Sequence, residues 1–409
     1  MSEKKPADTK KKAVIMAVVM FGLISCFGDI MYEGARSANG QYFELLAINA
    51  TTVGVVYGIG EFLGYALRLI SGRISDKTGK HWILIFLGYG SLIVVPLMGF
   101  TKSIPVLFTL FLLERVGKAL RNPPKDTILS QVAENSVGTG IVFGIQEALD
   151  QLGAFIGPMV FTLTFMTLGR EDIAAYQTGY KVLIFAYVLV MAAVYIAYKK
   201  ISQYDLVREG ETIDRGSDTL TPVFWIYCLF TFLATMGLVA YTIIGYHLKD
   251  AAILSDKNIT SFYSIAMIVD AIIAVIVGKL YDDLKKKQGN KQAGLLVLIF
   301  IPLCTVLVPF LALGNNIWAV VAGIMMYGVV LGGHETVMRS AIADLTSFKK
   351  RGTAYGIFNS IYGLALLIGS ALIGYLYDHA TISAICIFCV VCEILAVATF
   401  FMIKKKIAE

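Results

Sequence analysis

Apolar runs long enough to cross a lipid bilayer follow one another along almost the whole of this 409-residue chain. The hydrocarbon core is ~30 Å thick and asks for about 20 apolar residues of helix. No water is present there to satisfy backbone groups, so each run has to close its own hydrogen bonds. Runs bounded by charges and turn residues lie at 13–40, 51–71, 82–100, 105–133, 138–168 and 178–198. Six more lie at 222–248, 259–280, 293–312, 317–345, 352–377 and 381–403. The expected fold class is an all-α membrane protein with twelve transmembrane helices. Composition agrees, with 57% hydrophobic and 16% charged residues where a soluble domain carries about 25% charged. The first run continues from Ala13 through Asp29 to Arg36 without a small-residue cleavage site, so it reads as a retained helix and not a signal peptide.

The net charge of +6 suggests a nucleic-acid partner only until the charges are placed. They record topology instead. Lys4, Lys5, Lys10, Lys11, Lys12, Arg73, Lys77, Lys80, Lys199, Lys200, Lys279, Lys285, Lys286, Lys287 and Lys404 to Lys406 fall on one side of the predicted helices. Lys102, Arg170, Lys181, Lys249 and Lys257 are left on the other. The positive-inside rule then puts both termini in the cytoplasm of a multi-pass cytoplasmic-membrane protein. The one long polar stretch inside the chain, 199–221, reads as a cytoplasmic linker between six-helix bundles at 1–198 and 222–409.

The halves repeat each other. Gly72-Arg-Ile-Ser-Asp76 ends the second helix as Gly278-Lys-Leu-Tyr-Asp282 ends the eighth. Phe143-Gly144-Ile145 with Gly157 recurs as Tyr355-Gly356-Ile357 with Gly369. Such internal repeats are a mark of transporter folds. The six cysteines all lie in apolar segments. Cys386, Cys389 and Cys392 recur every three residues, which could suit a soft metal. Their burial favours small hydrophobes instead, and no metal or cofactor is expected.

Gly72-Arg73-Ile-Ser-Asp76-Lys-Thr-Gly79-Lys80 resembles the signature between helices two and three of the major facilitator superfamily. The resemblance implies two pseudo-symmetric six-helix bundles. It also implies a gate in which Gly72, Arg73, Asp76, Gly79 and Lys80, echoed by Asp282, latch the cytoplasmic side near Arg351. Gly153, Gly157 and Pro158 in the fifth helix fit the spacing of that family's antiporter motif, with Phe161-Thr162 where a glycine pair usually stands. Glu114-Arg115-Val-Gly117-Lys118-Ala-Leu-Arg121 is similar to its helix-four arginine motif, and Asp29-Ile-Met-Tyr32-Glu33 to its helix one.

An ionisable side chain at membrane depth costs at least ~2.5 kcal/mol on insertion scales, so each one invites a functional reading. Asp29, Glu33 and Arg36 share a face of the first helix, where Glu33 could instead pair with Arg36. Glu61 lies in the second. The fourth holds Glu114, Lys118, Arg121 and Lys125 on one stripe, with Arg115 and Asp126 beside it and Pro123-Pro124 interrupting the ladder. Glu147 and Asp150 lie one turn apart in the fifth, where like charges favour leaving a proton on one, unless the helix-four cations neutralise both. The second half offers Asp270, His334, Glu335, Arg339, Asp344 and Glu393. Expected solute-binding residues are Asp29, Tyr32, Glu33, Arg36, Glu61, Arg115, His334, Glu335 and Arg339. Expected proton-coupling residues are Glu33, Glu147, Asp150, Arg115 and His334.

An intramembrane enzyme would need a complete nucleophile–base or metal set. His334-Glu335-Thr-Val-Met338 has methionine where a zinc protease needs its second histidine. No phosphate loop follows Gly79-Lys80, Gly117-Lys118 or Gly278-Lys279, so the chain is no ATPase by itself. The expected function is secondary active transport of a small polar or charged organic solute by proton antiport, as efflux, with the protein a monomer. Proton symport of an amino acid, peptide or organic anion, transport of a divalent metal, and a transporter-fold sensor are the alternatives.

Overall fold

Helices take up nearly all of the described residues, which are 7–134, 139–203, 220–288, 291–346 and 351–408 of this computed structural model. In chain order they are α1 (Ala7–Leu45), α2 (Ala50–Thr78), α3 (81–100), α4 (Ile104–Glu134), α5 (Thr139–Leu168) and α6 (173–203). Then come α7 (222–250), α8 (Asp256–Gln288), α9 (291–312), α10 (317–345), α11 (Arg351–His379) and α12 (Ile382–Ala408). Eleven of the twelve are long and apolar enough to cross a membrane. The other, α4, has the charges from Glu114 to Asp126 in its middle, which lowers its hydropathy without shortening it. The linker expected at 199–221 falls mostly at 204–219, outside the described residues.

Polar caps set the ends of these apolar rods, because the first amides of a helix have no partner within it. Thr221 accepts from the Phe224 amide at 3.3 Å with Pro222 just inside the helix. Asn316 accepts from Trp318 and Ala319, and Asn49 from Thr52. The two halves also share a turn. Ala47 (φ 58°) follows α1 and Ala252 (φ 52°) follows α7. Each lies beneath a six-residue closure, Ile48 to Phe43 in one and Ile253 to Leu248 in the other, both 3.0 Å. A left-handed alanine costs roughly 1–2 kcal/mol, and it recurs at the matching corner of both halves.

The described residues group into two compact units. One takes those of Met1–Ala35, Leu67–Phe161 and Gln177–Ile213; the other takes Arg36–Ala66, Thr162–Tyr176 and those of Asp214–Glu409. In the first, α3 and α4 approach through Gly88, whose Cα faces the Gly117 carbonyl and Arg121. The Ser71 hydroxyl ties α2 to the Ala119 carbonyl at 2.6 Å. The second is filled by Phe224, Tyr227, Phe230, Ile301, Phe358 and Phe400 among others. It incorporates the α1–α2 turn through backbone contacts: Gly40 on Thr242, Gly54 on Ser370, Gly58 on Leu367 and Gly374 on Ala50. A side chain on any of these glycines would meet backbone, so glycine there permits close approach.

Candidate functional site

In the first unit, α4 brings its charges to α1 and α5. Glu114, Arg115 and Arg121 are all buried, with Arg115 Nη1 3.2 Å and Arg121 Nη2 4.0 Å from the Glu114 carboxylate. The Arg115 guanidinium lies 4.3 Å from the Tyr32 ring centroid and 4.8 Å from that of Phe111. The Lys118 ammonium stands 3.3 Å from the same Tyr32 ring, and Arg121 covers Tyr89 at 5.0 Å. Aromatic faces are the weakly polar support that holds a desolvated cation without neutralising it. One turn further, Lys125 Nζ donates to Ser25 Oγ at 2.8 Å. Gln146 bonds the same serine and donates to Asp150 at 3.0 Å. Asp29 lies within electrostatic reach of Asp150, Lys118, Glu33 and Lys125.

The glycines of the fifth helix set this geometry. A Cβ on Gly153 would overlap the Cys26 carbonyl, and one on Gly157 would lie 2.6 Å from the Ile30 carbonyl and 2.7 Å from the Gly34 amide. Helices α1 and α5 therefore meet backbone to backbone around Asp29 and Asp150, with the buried Pro158 following at once. Gly369 stands against the Met236 carbonyl in the repeat of this contact. Glu147 is exposed and accepts from Gln151 at 3.2 Å. Asp150 lies within electrostatic reach of Lys125 on α4.

In the second unit, Arg36 Nη2 donates to Tyr57 at 3.2 Å and Tyr327 at 3.3 Å, gathering α1, α2 and α10. Tyr327 packs on Tyr241, which stacks 4.2 Å from Tyr263. Further along, Tyr65, His334, Glu335, Arg339, Phe358, Asn359 and Tyr362 line a cleft of about 20 Å³, which is room for one water and no solute. His334 Nδ1 is 3.2 Å from the Tyr362 hydroxyl, while its buried Nε2 has no hydrogen-bond partner among the described residues. Buried Glu61 and the exposed Glu335 act electrostatically on Tyr362.

Helix α10 widens into a π turn at His334–Met338. Such turns release a carbonyl and recur at functional sites. The Met338 carbonyl at its end accepts from the Tyr227 hydroxyl at 2.5 Å. Tyr57, Tyr327, Tyr362 and Tyr227 were absent from the sequence-based set. Their hydroxyls sit in apolar helices with no charge pattern to mark them. The Gly332-Gly333 pair ahead of His334 is the one local signal of the widened turn.

The signature loop is only partly described. Gly72 faces Pro123, Gly79 ends α2 at φ 64°, and Arg73, Lys80 and Asp282 are exposed. The Asp76 side chain, and with it the expected latch to the start of α11, lies outside the described residues. Two other acids cap helix starts within the second unit. Asp378 accepts from the Ala50 and Thr51 amides at 3.1 and 2.7 Å. Glu171 accepts from those of Asp256 and Lys257 at 2.9 and 3.2 Å. Each places negative charge where the helix dipole favours it, at the start of α2 and of its repeat α8. Among the described residues no three His, Cys, Asp or Glu side chains group as metal ligands.

Residues 13–312 and 292–408 match the sequence profile of the Major Facilitator Superfamily. The chain belongs to this superfamily. It is 32% identical over 393 residues to an uncharacterized protein of Mycobacterium tuberculosis, covering 95% of this chain and 92% of the other. An uncharacterized transporter of the same type from Methanocaldococcus jannaschii is 25% identical over 364 residues, 88% of each chain. The probable sulfoacetate transporter SauU of Cupriavidus necator is 22% identical over 357 residues, covering 82% and 81%. Among solved structures, a mutant of the nucleoside transporter NupG superposes with a TM-score of 0.74 at 12% identity, over 95% of this chain and 99% of that one. A bacterial homologue of the lysosomal transporter Spinster, inward-facing and unoccupied, gives 0.70 at 13%, over 96% and 97%. These structures share the fold. The superfamily member described here is a multi-pass membrane transporter and not an enzyme.

Proposed function

We propose that this superfamily member is a secondary active transporter that moves a small anionic or zwitterionic organic solute by alternating access, in exchange for protons. The observation that supports it is the cationic stripe of α4: Arg115, Arg121 and Lys125 are buried and Lys118 half-buried, with the first two and Lys118 on aromatic faces and acids nearby. A wholly apolar cargo would gain nothing from so many desolvated charges. The ammonium of a zwitterionic solute and a proton would compete for the Asp29 carboxylate, while the solute's anionic end lies on Lys118 and Arg115. That exclusion of proton by solute is the coupling an antiporter requires. The glycine spacing of α5 favours efflux, and the name of SauU, a probable sulfoacetate transporter, favours an organic anion. Arg36 with Tyr57 and Tyr327, and His334 with Tyr362, would complete the route, with Glu61, Glu335 and Arg339 beside it. Gly72, Arg73, Asp76, Gly79, Lys80 and Asp282 would form the gate, and the protein would work as a monomer in the cytoplasmic membrane.

Thermal shift of the purified protein against small sulfonates, carboxylates and amino acids tests the solute class. A ligand at a hundred times its Kd adds about 2.7 kcal/mol of stability. Anions or zwitterions should raise the melting temperature in wild type and not in Lys118→Gln, with uncharged and cationic solutes inert. Equal shifts in both proteins would end the reading.

The topology proposed from the basic residues has its own test. Cysteines placed at Asn315 and His379 in a cysteine-free background should react with an impermeant maleimide applied outside cells, and one at Lys286 should not. The reverse pattern would mean an inverted chain.

A further inference from the structure

One acid of the second unit has no place in the solute pathway described above. Glu393 sits midway along α12, 3% exposed, and neither carboxyl oxygen has a hydrogen-bond partner among the described residues. Its surroundings are apolar by sequence as well as by contact. Helix α12 packs on α7, α9 and α11. The spans 222–236, 293–312, 352–377 and 382–403 together contain a single charged residue, which is Glu393. The other titratable groups within those spans are thiols and phenols: Cys386, Cys389 and Cys392 on α12 itself, Tyr227 and Cys228 on α7, Cys304 on α9, and Tyr355, Tyr362, Tyr375 and Tyr377 on α11. Among the described residues no cation is placed to hold a carboxylate there. An isolated carboxylate in such a setting would cost many kcal/mol, and a group so placed keeps its proton.

The carboxyl does not face a uniform wall. It lies against Gly237, the residue at which α7 stops: Pro222–Met236 is helical, the chain runs unwound to Ala240, and helix resumes at Tyr241. A Cβ at Gly237 would overlap the Glu393 carboxyl and press on Cys392. Glycine at the break therefore leaves the carboxyl its space. The segment beyond the break is packed on α1 at Gly40. Unwound backbone inside a membrane helix is tolerated where it lines a polar or water-accessible point, and transporters use such breaks to bind coupling ions.

We infer that Glu393 is a proton-binding site of this protein, neutral while the α7 break is closed over it and ionised when movement at Gly237 admits water. The site takes a proton and no organic ligand. It rests on the transport reading only for what the bound proton achieves, and adds an acid that the α1, α4 and α5 cluster does not include.

The test reads the proton itself. Wild-type protein in phospholipid vesicles, with no solute added, is followed by infrared spectroscopy in the carbonyl stretch of protonated carboxylic acids. The difference between wild type and Glu393→Gln isolates this residue. The band should be present at about pH 6 and lost by about pH 10, beyond the range near 8–9 documented for buried glutamates. Glu393→Asp, which keeps the acid, should keep a titrating band with a moved midpoint, so a poorly folded Gln variant does not decide the matter. No difference band at any pH would show Glu393 ionised and end the proposal. A band that never titrates would show a fixed structural acid, and one removed by sodium at constant pH a metal-cation site; either overturns it. Because no solute is involved, failure here leaves the anion-transport reading standing, and failure of anion binding leaves this one.

Discussion

Arg115→Ala should destabilise the protein by about 3–5 kcal/mol and abolish anion-dependent stabilisation. Arg115 is 2% exposed and lies 3.2 Å from a Glu114 carboxylate that is itself buried. Removing one partner of a buried pair strands the other without solvent, which costs far more than the pair was worth. Arg121, at 4.0 Å, is beyond hydrogen-bonding distance and compensates the Glu114 charge only in part. The test is a double-mutant cycle read by thermal melting. Glu114→Gln combined with Arg115→Ala should regain more than half of the lost stability, since the stranded carboxylate is then neutral. Anion binding should remain lost in the double variant. If the double variant melts no higher than the single, the cost came from lost packing on Tyr32 and Phe111 and the electrostatic account fails.

Gly157→Leu should lose folded protein altogether, at a cost upward of ~3 kcal/mol. Its Cβ would lie 2.6 Å from the Ile30 carbonyl and 2.7 Å from the Gly34 amide, and backbone cannot move aside as a flexible side-chain end can. Overpacking by a few methylenes among side chains already costs about 1–3 kcal/mol. Gly90→Ala is the matched control, because nothing stands within 4 Å of the point its methyl group would occupy. Size-exclusion profiles in detergent should show Gly90→Ala monodisperse and Gly157→Leu aggregated. A monodisperse Gly157→Leu protein would mean that α1 and α5 tolerate separation, and that the motif glycines serve something other than close approach.

Much of this was legible from the chain alone because membrane insertion writes itself into local sequence. The hydrophobic thickness fixes helix length, so apolar runs marked twelve helices; even α4, too charged to qualify by hydropathy, appeared between its neighbours. The glycine-loop signature and the repeated spacings pointed to the superfamily to which the chain belongs. The charges of α4 were found for the same reason: in an apolar background an ionisable residue stands out one by one.

What the sequence determined by itself was therefore each helix, its repeat and its inventory of charges, since these depend on a residue's own transfer free energy. Only the tertiary structure decided which charges meet. It turned Glu147 outward to Gln151 and left Asp150 with Gln146. It supplied Tyr57 and Tyr327 to Arg36 from helices distant in sequence, and placed Asp378 and Glu171 at the starts of α2 and α8. It also showed that Glu393 lies against a helix break and, among the described residues, has no cation near it. A helix has a known periodicity but no known azimuth until its neighbours pack, and backbone contacts at single glycines, such as Gly157 on Ile30 or Gly369 on Met236, are what fix that azimuth.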